Sequence, residues 1–119
     1  MLEKLDKKSA LELLGDDYIT DILSSTHIKP KSAKEISKRN DIPIAICYRR
    51  INKLVKLGFL SEDKKALTQE GKRVQLYKSN LKSAHVYYEE GKLKAKFEFK
   101  DGQLQKFGDK IKEKIPSSK

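Results

Sequence analysis

The segment Ser32-Ala-Lys-Glu-Ile-Ser-Lys-Arg-Asn-Asp-Ile-Pro-Ile-Ala-Ile-Cys-Tyr-Arg-Arg-Ile-Asn-Lys-Leu-Val-Lys-Leu-Gly-Phe59 constrains the fold more than any other part of the chain. It predicts a short capped helix, a tight turn and a longer helix rich in cations. The Ser32 hydroxyl can accept from the amide of Glu35 while the Glu35 carboxylate reaches back to the amide of Ser32, which is the pattern of a capping box. The short helix presents Ala33 and Ile36 inward and ends near Asn40, a residue that tolerates the left-handed backbone of a helix C-terminus. Pro43 suits the opening of the second helix, where its fixed φ is helical and its missing N–H costs nothing.

Along the second helix, residues 43–57, Ile44, Cys47, Ile51, Leu54 and Leu57 recur at three- and four-residue spacing and predict one buried stripe. Ala45, Ile46, Tyr48, Arg49 and Asn52 are left facing outward, towards the helix N-terminus, where such a helix reaches base edges in a major groove. A guanidinium takes guanine bidentately, an amide takes adenine, and small or apolar groups meet the thymine methyl. Lys34, Lys38, Lys53 and Lys56, with Arg50 between the two faces, are candidate phosphate contacts. A cation-rich helix face is more often merely solvated. Two helices at this spacing, with the cations on the second, tip the reading towards double-stranded DNA.

Charge distribution points the same way. The formal net charge is +10 over 119 residues. Residues 1–28 carry 3 Lys/Arg against 6 Asp/Glu, whereas residues 29–56 carry 9 against 2 and residues 72–119 carry 13 against 6. The cations gather where phosphate contacts are expected, as counterion release on binding requires. The single cysteine, Cys47, excludes an intrachain disulfide and stands on the apolar stripe, so a core role is expected of it.

The residues Ser32-Ala-Lys-Glu-Ile-Ser, Ile42-Pro-Ile-Ala-Ile-Cys-Tyr-Arg-Arg-Ile-Asn-Lys-Leu and Leu57-Gly-Phe-Leu resemble the winged helix-turn-helix regulators of archaea grouped with the ArsR family. The resemblance covers roughly residues 9 to 80. It implies a dimeric protein on operator DNA, with the helix at 43–57 in the major groove, the following hairpin as a wing, and Ala45, Ile46, Tyr48 and Arg49 facing the bases. Metal sensors of that family carry paired cysteines. This chain has one Cys and no Cys/His cluster, so neither a metal nor another cofactor is expected.

Upstream, Lys8-Ser-Ala-Leu-Glu-Leu-Leu14 reads as a short helix ended by Gly15, and Asp16 as the cap of a helix through Tyr18, Ile19, Ile22 and Leu23. Asp16, Asp17 and Asp21 suit the positive end of that helix better than a metal site. His27 is expected at the solvent edge. Downstream, Phe59–Leu67 predicts a short hairpin wing with Lys64 and Lys65 at its tip, in reach of a phosphate. Thr68 with Gln69 and Glu70 then predicts a helix through about Asn80, carrying Val74, Leu76 and Tyr77.

Ala84-His-Val-Tyr-Tyr88 and Leu93-Lys-Ala-Lys-Phe-Glu-Phe99, flanking Glu89-Glu-Gly-Lys92, predict a second hairpin. Its apolar face must be covered by the core or by a second subunit. Its polar face interleaves His85 and Tyr87 with Lys94 and Lys96, a pattern also found where sheets bind single-stranded nucleic acid. Leu104, Phe107, Ile111 and Ile115 predict a terminal amphipathic helix over 102–115, a natural dimer element.

The fold class expected is mainly α with small β (α+β). It is a winged helix-turn-helix domain over 1–80 extended by a hairpin and a terminal helix over 81–119. The function expected is sequence-specific binding of double-stranded DNA by a homodimeric transcriptional regulator, in the cytoplasm and associated with the nucleoid, with no membrane partner. No phosphate-binding glycine loop, nucleophile elbow or metal-ligand grouping suggests an enzyme. Two alternatives stay open: a sequence-tolerant architectural DNA-binding protein, and a winged-helix adaptor that docks other proteins.

Overall fold

A computed structural model of the protein describes residues 6–107, an α+β chain of four helices and two three-stranded antiparallel sheets. The helices are α1 (Lys7–Leu14), α2 (Asp17–Ser25), α3 (Ala33–Asn40) and α4 (Ile44–Lys56). The strands are β1 (Lys31–Ser32), β2 (Leu60–Leu67), β3 (Arg73–Ser79), β4 (Leu81–Glu89), β5 (Lys92–Phe99) and β6 (Leu104–Phe107).

The helix boundaries follow local capping chemistry. Asp6 caps α1 by accepting from the Ser9 amide at 2.8 Å, and Asp16 caps α2 by accepting from Tyr18 and Ile19 at 2.9 and 3.2 Å. Ser32 caps α3 through the Glu35 amide at 3.1 Å. The return half of the expected capping box is not made: Ser32 belongs to β1, and Glu35 is exposed. The left-handed residue after α3 is Asp41, with φ +54, one position later than expected. Asn40 instead stays helical and uses its amide on the Ile36 carbonyl and the Ser25 hydroxyl.

Three sequence expectations fail here. Residues 73–79 form a strand, where a helix over 68–80 is expected, and β3 is the central strand of the sheet β1-β3-β2. Val74, Leu76 and Tyr77 fit a helical spacing, but pairing on both edges of β3 outweighs that weak local preference. The capping pattern at Thr68 is cut short by Gly71, whose φ of +82 closes the turn back to Thr68. The wing-like hairpin is therefore β2–β3 with its tip at residues 68–72, and it is longer than the hairpin expected within 59–67. Residues 104–107 likewise add a third strand beside β5 in place of the start of a terminal helix. Ile111 and Ile115 lie outside the described residues. With these changes strand residues are as numerous as helical ones, so the β share is larger than expected.

The β4–β5 hairpin forms as its sequence predicts. Glu90 and Gly91, with φ of +51 and +81, make the two-residue turn whose twist matches that of the strands. Its inner face joins the helical core: Ala95 and Phe97 are buried with Ile19, Ile22, Ile36, Ile51, Leu54 and Phe59 in one cluster. The Phe59 ring centroid lies 5.3 Å from that of Phe97, tilted, and 5.4 Å from that of Phe99, edge-on, contacts that join the segment between α4 and β2 to β5. Asn80, between β3 and β4, reinforces the junction with bonds to Phe59, Gly58, Ser61 and Lys100. Further along the hairpin the inner face runs past the core, leaving Val86 44% and Tyr88 73% exposed. No helix among the described residues is long and apolar enough to cross a membrane.

Candidate nucleic-acid interface

Helix α4 owes its orientation to its buried stripe. Cys47, Ile51 and Leu54 are fully buried, and the opposite face is turned to solvent. On that face Ala45, Tyr48, Arg49, Asn52, Lys53 and Lys56 are all exposed. Arg49, Lys53 and Lys56 form no ion pair among the described residues. The structure thus brings together on one helix face the expected base-facing residues Ala45, Tyr48, Arg49 and Asn52.

Two apolar residues at the start of α4 exchange places relative to expectation. Ile44, assigned to the buried stripe, is 44% exposed. Ile46, assigned to the outer face, is half-buried against the core. Ile46 shares the flank of Arg50, which turns towards Asp16 and Tyr18 at the start of α2, whereas Ile44 is the first residue of α4, at the end of the buried stripe. Ile44 is an outward residue that its periodicity concealed. No side chain caps the first turn of α4, so its leading amides are open. The signal for this lies in the sequence: Pro43 holds the capping position and offers no side-chain acceptor.

Arg50 is held by the fold. Its Nε donates to Asp16 Oδ2 at 2.8 Å, and its guanidinium lies 5.8 Å from the Tyr18 ring centroid. One carboxylate therefore caps α2 with one oxygen and anchors α4 with the other. Beside this pair lies a cleft of about 290 Å³, bounded by Ser9 and Glu12 of α1 and by Arg49 and Lys53 of α4.

Lys34 and Lys38 are exposed on α3, the helix before α4. Lys64 and Lys65 are exposed but are not at a hairpin tip. They lie within β2, where the register shifts between Glu62 and Lys65, and the tip carries Lys72 instead, with Arg73 opening β3. Tyr77 is buried on β3. Burial raises its pKa, with Glu62 and Tyr48 adding to the effect. Burial likewise raises the pKa of the Cys47 thiol, which lies 3.6 Å from the Ala33 carbonyl oxygen. His27 is exposed, and its carbonyl accepts from Lys100 Nζ at 2.8 Å.

The sequence matches no protein-family model and no curated protein.

Proposed function

We propose that this chain is a winged helix-turn-helix regulator that binds double-stranded DNA as a homodimer, with α4 in the major groove and the β2–β3 hairpin as the wing. The observation that carries this reading is the outer stripe of α4, where Ala45, Tyr48, Arg49, Asn52, Lys53 and Lys56 are exposed and the cations are unpaired among the described residues. Charges retained for internal structure would be expected to find partners, as Arg50 does in Asp16.

In this reading the N-terminal half of α4 discriminates bases through Tyr48, Arg49 and Asn52, with Ala45 and Ile44 available to thymine methyls. Lys53 and Lys56 on α4, Lys34 and Lys38 on α3, and the lysines of the hairpin meet phosphates and set the register. The open amides of the first turn of α4 supply a further anion contact. Arg50 holds α4 against α2 and contributes to binding through that placement. The resemblance read from the sequence over roughly residues 9 to 80, to the ArsR-like regulators of archaea, points to the same assignment. The exposed apolar overhang of Val86 and Tyr88 is the surface available to a second copy.

Fluorescence titration of a selected duplex and a random duplex tests the division of labour. Arg49→Ala is expected to weaken the selected duplex by about 1–3 kcal/mol and to relax preference at one base pair. Lys56→Ala is expected to weaken both duplexes alike and to lower the salt dependence by about one counterion. Equal losses on both duplexes for both variants would contradict base reading by Arg49.

A further inference from the structure

We propose that the solvent-facing side of the β4–β5–β6 sheet binds single-stranded nucleic acid, with His85 and Tyr87 as platforms for unpaired bases and Lys96 and Lys106 as the phosphate contacts.

The register places these groups together. His85 pairs with Lys96 and Lys96 with Lys106, so one row across three strands carries an imidazole and two ammonium groups on the same face. Tyr87 pairs with Lys94 in the next row on that face. His85, Tyr87 and Lys106 are exposed, while the opposite face holds the buried Ala95 and Phe97. The two aromatic groups stand two strand positions apart, about 6.8 Å, on a surface about 10 Å wide. Successive bases of an extended strand can rest on such a pair, whereas a duplex keeps its base faces stacked away from it.

The charge arrangement suits an anion. Like charges directly opposite one another across a sheet are destabilising, yet Lys96 and Lys106 face each other in register. Neither forms an ion pair among the described residues. The acidic groups of this face are already engaged: Glu98 with Lys82 at 3.6 Å and Glu89 with Lys94 at 3.2 Å. Lys94 Nζ also lies 6.0 Å from the Tyr87 ring centroid, leaving that ring 45% exposed beside a cation. Alternation of aromatic rings with uncompensated lysines on an open sheet suits a phosphate backbone that carries unstacked bases. A regular duplex would use the lysines and leave the aromatics idle. This surface is separate from the outer face of α4, so its role does not depend on what α4 binds.

The test is fluorescence anisotropy of the full chain with labelled twelve-nucleotide oligo(dT) and oligo(U), alongside a duplex of equal length. Tyr87→Ala is expected to weaken the single strands roughly tenfold and to leave the duplex unchanged. Lys96→Gln combined with Lys106→Gln is expected to weaken single strands and to reduce the salt slope by about 1.4. Both variants are surface changes, and unaltered thermal unfolding checks that they fold. A preference for oligo(dT) or for oligo(U) supports the proposal either way and assigns the strand as DNA or RNA. Single-strand binding indifferent to both variants overturns it. So does an equal loss on duplex and single strands, which would make the face part of a duplex contact, or equal displacement by an acidic peptide.

Discussion

Asp16 shows how one residue can set the geometry of a whole helix. Its carboxylate closes the first turn of α2 and holds Arg50 of α4, while 26% of the side chain remains exposed. Asp16→Ala removes both contacts and is expected to cost about 1–2 kcal/mol by urea unfolding, the sum of a lost cap and a partly screened ion pair. Asp16→Asn keeps a cap acceptor and should recover most of that loss. A cost as large for Asn as for Ala would instead make the ion pair dominant. Cys47 and Tyr77 contribute to the alkaline dependence of stability. Burial raises both native pKa values above their ordinary 9.0 and 10.0, so the unfolded chain loses these protons first. Their contribution is complete below pH 9.0 and is lost as pH rises towards the native values. Stability should therefore fall through this alkaline range, and Cys47→Ala should flatten the earlier part of the fall. A pH profile identical in the variant would contradict the assignment to Cys47.

At the scale of elements, the hairpin β2–β3 turns on Gly71. A methyl group added there meets nothing within 4 Å, so the whole penalty of Gly71→Ala comes from its φ of +82. An expected cost of about 1–2 kcal/mol follows, measurable by thermal unfolding. A neutral effect would show that the turn relaxes freely. The same glycine explains what the sequence did and did not disclose. The helix caps made by Asp16 and Ser32 and the Glu90–Gly91 turn act through contacts a few residues long, so α2, α3 and the β4–β5 hairpin are legible from local pattern. β3 and β6 are strands because other strands pair along their edges, β2 and β1 beside β3 and β5 beside β6. Val74 with Tyr77, and Leu104 with Phe107, stand three positions apart, a helical spacing that pairing with those strands overrides. On α4 the outer stripe was legible because the buried stripe is strict, whereas Ile44, Ile46 and Arg50 lie on flanks whose neighbours come from other helices.

The whole molecule is elongated, with principal extents of 57 × 25 × 23 Å. The surfaces proposed to bind nucleic acid are the outer face of α4, the tip of β2–β3, and the open face of β4–β5–β6. One core containing Phe59 and Phe97 joins the helices to both sheets. The net charge of +10 gives the molecule attraction for any polyanion, so under the proposed function base selectivity has to come from the few residues on α4. The most direct measurement is therefore binding to a pool of genomic duplex fragments at near-physiological salt, followed by sequencing of the retained fraction. A dimer reading DNA through α4 should enrich a palindromic motif with half-sites about one helical turn apart. Retention without sequence preference, or none at all, would contradict that function.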